Sequence, residues 1–208
     1  MNLNLISNYK VLVVGDAIED RYRHCDILGR GTKEPIISVK FEKEEIFRGG
    51  VWAASAHIKD LCKQVDVWHG DTVTVNIKYI GRYGQKLFSV HESRPCLDHF
   101  QIADPAYYDL VVVFDYGHGF LIKELREKIM REAKYLAVNA QSNSLNYGFN
   151  RINEKWPKAD LAVMDELEAR LAAHDDKSEI EDVIRRLQYP TIIVSQGAKG
   201  ATGYGNNE

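Results

Sequence analysis

YKVLVVG, residues 9–15, is a run of apolar and largely β-branched side chains stopped by Gly15 and Asp16. A strand that is apolar at successive positions, not at alternate ones, is one covered on both faces, as in a parallel sheet. YYDLVVVFDYG at 107–117 repeats the pattern, again ending in Asp and Gly. QVDVWHG at 64–70, KYLAVNA at 134–140, ADLAVMD at 159–165 and PTIIVSQG at 190–197 read as further strands. Between them lie helical stretches: VWAASAHIKDLC at 51–62, LIKELREKIMREA at 121–133, ELEARLAAH at 166–174 and SEIEDVIRRLQ at 178–188. Strands that alternate with helices predict a parallel sheet with helices on both faces.

Two segments break this rhythm. PIISVKF at 35–41 is a separate β-like run, and 73–91 alternates apolar and polar residues around a glycine break. Period-2 patterning of that kind predicts an antiparallel pair with one wet face. SNSLNYGFNR at 142–151 reads as a loop.

Composition narrows the function. The 208 residues are 45% hydrophobic and 27% charged, an ordinary globular balance. Lys and Arg number 27 against 30 Asp and Glu, a net charge of −3, without the basic surplus of a nucleic-acid binder. No apolar run reaches the ~18–20 residues of a membrane span. The opening MNLNLISNYK lacks the parts of a signal peptide. Cys25, Cys62 and Cys96 are odd in number and far apart, so neither a disulfide framework nor a close-spaced zinc pattern is expected, and the cytoplasm is the default compartment. The seven histidines include no HxH and no pair four apart. No Gly-x-Ser-x-Gly elbow occurs, and GDAIED follows the first strand where a dinucleotide fingerprint would stand.

In open α/β sheets ligands lie beyond the carboxyl ends of the strands. Four predicted strand ends carry polar groups there: Gly15-Asp16, Asp115-Tyr116-Gly117, Asn139 and Asp165. Asp and Gly also end strands merely because they turn the chain. Four ends in agreement favour a small-molecule site.

The order of these motifs resembles the ribokinase/PfkB carbohydrate kinases, and within them most of all the heptose kinase domain of ADP-heptose synthase. VLVVGDAIEDRY (11–22), FRGGVWAAS (47–55), VVVFDYGHGFL (111–121), DELEARLAA (165–173) and TIIVSQGAKGA (191–201) carry the likeness, in order, over most of the chain. The resemblance implies a single, truncated three-layer α/β/α domain over 1–208, with a mostly parallel sheet and a small β lid at about 34–42 and 73–91. It implies sugar contacts from Asp16, Asp20, Gly49, Gly50 and Asp115. It implies nucleotide contacts from Asn139, Ser195, Gly197 and Gly200, with magnesium held through Glu168 and ATP as phosphoryl donor. The partners implied are a sugar or sugar phosphate and a second copy or a complementing polypeptide, with a place in surface-polysaccharide synthesis; neither nucleic acid nor membrane is expected.

The residues also have plainer readings. Asp16 and Asp20 can accept bidentate bonds from sugar hydroxyls, or be a strand-end turn and a surface charge. Gly49 and Gly50 permit close backbone approach, or simply turn the chain. Ala53 stands where the family has an Asn, and Trp52 reads as a core residue. Arg48 and Lys33 could meet a sugar phosphate but read first as solvated charges. Asp165 replaces the family Asn, and a carboxylate there, Glu168, either holds magnesium through water or caps a helix. His118 reads as a surface residue. Asn143 and Asn146 have no assigned role.

One motif is lacking. The family's Gly-Ala-Gly-Asp segment supplies an anion hole and the base that takes the proton from the attacking hydroxyl. No Gly-x-Gly-Asp occurs in these residues, and only HGDT separates Trp68 from Val73 where the family has more chain. The expectation is a sugar pocket without phosphoryl transfer by this polypeptide alone, with one sheet face left bare. A non-catalytic sugar-binding or assembly module is the alternative.

Overall fold

A computed structural model describes residues 6–31, 33–71, 73–93 and 103–205. The main sheet contains β1 (Lys10–Gly15), β4 (Gln64–Trp68), β7 (Leu110–Asp115), β8 (Leu136–Ala140), β9 (Leu161–Asp165), β10 (Thr191–Ser195) and β11 (Ala201–Gly205). Their spatial order is β11-β10-β9-β8-β7-β1-β4, parallel throughout except for the antiparallel β10–β11 pair. The strands expected from the apolar runs are all present. β11 was not expected, because its ATGYG has almost no side chain to bury.

A second sheet, in the order β3-β2-β5-β6, is formed by β2 (Ala17–Arg30), β3 (Ile37–Gly50), β5 (Val73–Gly81) and β6 (Lys86–Glu92). β5 and β6 are the expected antiparallel hairpin. The lid is nevertheless larger than the pattern at 34–42 and 73–91 predicts. β3 runs on to Gly50, and β2 fills the stretch read as a turn and surface charges. In β2, AIEDRYRHCDILGR sets charged residues on both faces, which hides the period of 2. Cross-strand partners replace apolar contact: Arg23 Nε meets Glu44 at 2.7 Å and Lys78 Nζ meets Asp20 at 2.6 Å.

One residue joins the sheets. β1 ends at Gly15, β2 begins at Ala17, and only Asp16 lies between. β3 returns to the same place, where Ala17 lies opposite both Gly50 and Val73. Helix α1 (Val51–Lys59) then starts with the Val51 N–H donating to the Asp16 carbonyl at 3.1 Å.

The helices load the main sheet unequally. α2 (Lys123–Glu132), α3 (Ile152–Lys155), α4 (Glu166–Ala173) and α5 (Ile180–Arg186) pack on one face, over Leu12, Val111, Val113, Val138, Met164 and Ile192, with Trp156 fully buried among them. On the other face, α1 covers β1 and β4. Beyond β1 that face carries Leu110, Val112 and Phe114, then Leu161 and Val163, all only half-buried, and Ile193, which is exposed. β7 alternates half-buried and buried accordingly, although its sequence reads as covered on both sides.

Candidate functional site

The seam between the sheets gathers the residues expected to meet a sugar. Asp16 is buried, and its Oδ2 accepts from the Tyr116 N–H at 2.8 Å and the His118 N–H at 3.4 Å. Burial pushes its carboxyl up to about 6, and the charge of Asp115 adds to the rise. The backbone N–H groups of His118, Tyr116 and Phe120 work the other way. Gly50 has φ 58°, and a Cβ there would stand 2.4 Å from the Asp16 carbonyl oxygen. A Cβ on Gly49 would stand 2.9 Å from Asp20 Oδ2. The two glycines thus have separate reasons to be glycine: Gly50 closes the seam and Gly49 leaves room for a carboxylate.

Cross-strand register fixes what shares a lid face with Asp20. It lies opposite Phe47 on β3 and Asn76 on β5, and Asn76 lies opposite His91 on β6. The next row holds Tyr22, Lys78 and Ser89. Lys78 Nζ donates to Asp20 at 2.6 Å and is 3.3 Å from the Tyr22 hydroxyl. Burial works against the charge on Lys78, but these two partners outweigh it and its pKa is raised. The polar face lies near enough to the 116–118 turn for the charge of Asp20 to act on Tyr116. The Tyr116 phenol is raised first by burial and then by the charges of Asp16, Asp20 and Glu168. Trp52 lies half-buried against the α1 core, edge-on to His69 at 5.2 Å, with the Arg48 guanidinium 5.4 Å above its ring.

Asp115 is placed differently from its expected role. It is buried, and both oxygens are taken by the chain itself. Oδ1 accepts from Gly117 N–H at 2.9 Å and Asn150 Nδ2 at 3.3 Å, while Oδ2 accepts from Trp156 Nε1 at 2.8 Å. It anchors the turn that wraps Asp16. The 142–151 loop grips the same turn: Asn143 Nδ2 and Asn146 Nδ2 each donate to the Tyr116 carbonyl at 2.7 Å. Gly117, at φ 72°, is where a Cβ would meet Asn146 Nδ2 at 2.3 Å. Sequence reasoning missed Asn76, Lys78, His91 and this asparagine clamp; only the repeated Asn at 143, 146 and 150 offered a signal.

The residues expected to meet a nucleotide stand farther along the same sheet edge. Four strand spacings separate β1 from β10, on the order of 19 Å. Ser195 ends β10 and is exposed. Gly197 and Gly200 have φ 57° and 95° in an open turn closed by Gln196 N–H on the Gly200 carbonyl at 2.7 Å. Asn139 spends its Nδ2 on the Val163 carbonyl at 2.9 Å. Glu168 is buried in a capping box at the start of α4. Its Oε2 accepts from Asp165 N–H at 2.8 Å and its Oε1 from Ser142 N–H at 2.9 Å, while Asp165 Oδ1 accepts from Glu168 N–H. Burial is the main cause raising the Glu168 carboxyl. Each Glu168 oxygen accepts one backbone N–H, which accounts for the residue as a helix cap. Among the described residues no three His, Cys, Asp or Glu side chains converge on a metal site.

No family model matches the chain, and no curated protein matches it. Solved structures do. A ribokinase from Arabidopsis thaliana, complexed with ribose and ATP, superposes with TM-score 0.67 at 13% identity, over 97% of this chain and 76% of that one. A carbohydrate kinase from Agrobacterium tumefaciens gives TM-score 0.64 at 14% identity, over 96% of this chain and 74% of that one. A nucleoside kinase from Methanocaldococcus jannaschii, an archaeal member of the ribokinase family, gives TM-score 0.57 at 13% identity, over 97% and 75%. The fold is therefore ribokinase-like: a mostly parallel sheet with helices on both sides and a smaller second sheet.

Proposed function

We propose that this chain is a sugar-kinase-like protein that binds a heptose-type sugar or sugar phosphate at the seam between its two sheets. The observation that carries the reading is the convergence of Asp16, from the link between the sheets, with Asp20 of β2 and Gly49 and Gly50 of β3 at one seam. Asp20 offers carboxylate oxygens to hydroxyls, Gly49 keeps its surroundings open, and Asp16 holds the turn that forms the opposite wall. ATP would lie along the strand ends toward Ser195, Gly197 and Gly200, whose open turn suits a phosphate. The likeness to a ribokinase complexed with ribose and ATP supports both placements. Asp115 is better read as the anchor of the wall than as a sugar ligand.

A second reading, a binding or assembly module without transfer activity, is favoured by one sequence fact. None of the 208 residues forms a Gly-x-Gly-Asp, so these residues offer no family-type base for a sugar hydroxyl. The half-covered sheet face supports a complementing polypeptide, and the exposed Ile46, Phe88 and Val90 on the outward lid face support pairing with a second copy.

Calorimetry against a panel of sugars, sugar phosphates and ATP tests the reading. Asp20→Ala should abolish sugar binding while leaving the unfolding temperature within a few degrees. Sugar affinity that survives in Asp20→Ala would remove the seam from consideration. Phosphoryl transfer from ATP at ordinary kinase rates by the 208-residue polypeptide would decide against the non-catalytic alternative.

A further inference from the structure

Glu168 makes one bond more than a helix cap requires. A capping box uses one side-chain oxygen of its third residue, and glutamine serves there as glutamate does. In α4 that bond is Oε2 accepting from the Asp165 N–H at 2.8 Å. Oε1 reaches out of the box, 26 residues back along the chain, to the Ser142 N–H at 2.9 Å. Ser142 opens the 142–151 loop just past β8. The Glu168 side chain is buried, so both bonds are made away from water, where an unpaired N–H is costly.

The loop is held by polar bonds at two sides. Its Leu145, Tyr147 and Phe149 are exposed, Phe149 by 84%, and add little packing. Toward α4, Ser142 is on Glu168. Toward the turn that walls the seam, Asn143 Nδ2 and Asn146 Nδ2 donate to the Tyr116 carbonyl, and Asn150 Nδ2 donates to the Asp115 carbonyl at 2.8 Å. The Tyr116 and His118 N–H groups in turn donate to Asp16. The turn after β7, the loop after β8 and the first turn of α4 are thereby tied in series. A segment with few apolar contacts, held by a few polar bonds, opens locally and as a unit. The first turn of α4 also carries Glu166, whose Oε2 lies 3.5 Å from Gln196 Nε2 beside the open 197–200 turn. We propose that Glu168 is a positioning residue for the sugar wall: it latches the 142–151 loop to α4, and the loop and the Tyr116–His118 turn open and close as one unit. The proposal rests on the sugar-site reading for the purpose of the turn, and deepens it by naming what holds that wall from a distant element.

Amide hydrogen exchange of the free 208-residue chain tests the latch. In the parent, the amides of Tyr116, His118 and Ser142 should share one opening equilibrium. Glu168→Ala should accelerate all three about tenfold or more, the value of one hydrogen bond to a charged group. Asp165→Ala is the control: it removes the Asp165 Oδ1 bond to the Glu168 N–H and so breaks the box, but leaves Glu168 Oε1 on Ser142. It should speed exchange in the first turn of α4 and leave Tyr116 and His118 unchanged. Glu168→Gln has one acceptor oxygen for two N–H groups; it replaces the alanine variant if that folds poorly, and should also speed Tyr116 and His118. Unchanged exchange of Tyr116 and His118 in the Glu168 variants would overturn the latch. So would equal acceleration by Asp165→Ala and Glu168→Ala, the result a plain helix cap gives. No ligand enters the measurement, so a sugar site refuted by Asp20→Ala leaves the exchange result standing, and a refuted latch leaves the sugar site standing.

Discussion

Asp16 is a carboxylate placed where carboxylates are expensive, and its titration should be visible in stability. Its folded pKa lies near 6, above the ordinary 3.8. The folded protein therefore keeps a proton that the unfolded chain has released. The stabilising contribution is complete below about pH 4 and is lost as pH rises through about 6, a swing on the order of 3 kcal/mol. Asp16→Asn keeps an oxygen for the Tyr116 and His118 N–H groups but cannot ionise. Urea unfolding of both proteins should show the parent losing stability relative to Asp16→Asn between pH 4 and pH 7. Parallel curves over that range would mean that the carboxyl titrates normally. The neighbouring glycines offer a sharper contrast. Gly50→Ala sets a Cβ against a backbone oxygen at positive φ and should cost more than about 2 kcal/mol. Gly49→Ala meets only the movable end of Asp20, so the fold should survive while sugar affinity falls. Calorimetry and thermal unfolding of the pair separate the two effects.

At the scale of elements, the legible parts were those whose side chains do one job. β1 and β7–β10 were readable because apolar runs have few other uses. β2 was not, since its alternation is written in ion pairs instead of hydrophobicity, and a carboxylate such as Asp20 looks the same in a strand as in a turn. Asp16 was legible from its position after a strand, and Gly49 and Gly50 from opening a helix; the structure brings the three to one seam. The competing reading of Glu168 as a helix cap matches the geometry, because a buried capping box and a metal ligand demand the same residue at the same place. His118 reads as a surface residue and is half-buried, because burial in the tertiary structure is not written in the local sequence. The 142–151 loop was recognised as a loop, but its purpose is tertiary. Its asparagines hold the turn that holds Asp16. Replacing Asn143 and Asn146 together with Ala removes two bonds to the Tyr116 carbonyl, each worth about 1 kcal/mol. Hydrogen exchange of the Tyr116–His118 amides should accelerate roughly tenfold or more, with the β7 amides unchanged. Unaltered exchange in the turn would show that Asp16 and Asp115 suffice to hold it.

Among the described residues the main sheet is asymmetric in cover: one face is deeply packed, and the other is packed most closely over β1 and β4. On that face Leu110, Val112 and Phe114 of β7 and Leu161, Val163 and Ile193 of β9 and β10 are apolar and incompletely buried, with Asn139 of β8 between them. The 208-residue protein should therefore bind a hydrophobic dye or self-associate in dilute buffer. Ile193→Glu should reduce both, because Ile193 is exposed and its removal leaves little cavity; its effect on unfolding should be under about 1 kcal/mol. Sedimentation and dye fluorescence of the two proteins measure this, and identical behaviour would mean that the strip is inert.

The passage from one sheet to the other through Asp16 alone leaves no slack in the chain. A residue inserted between Asp16 and Ala17 could not be looped out harmlessly. It would slide β2 by one position against β3 and β5, and a strand slid by one presents its opposite side. Glu19 would then stand in the place of Asp20, and Asp20, moved to the place of Arg21, would face away from the pocket. Spacing at this point is as much a part of the binding site as the side chains that touch the ligand.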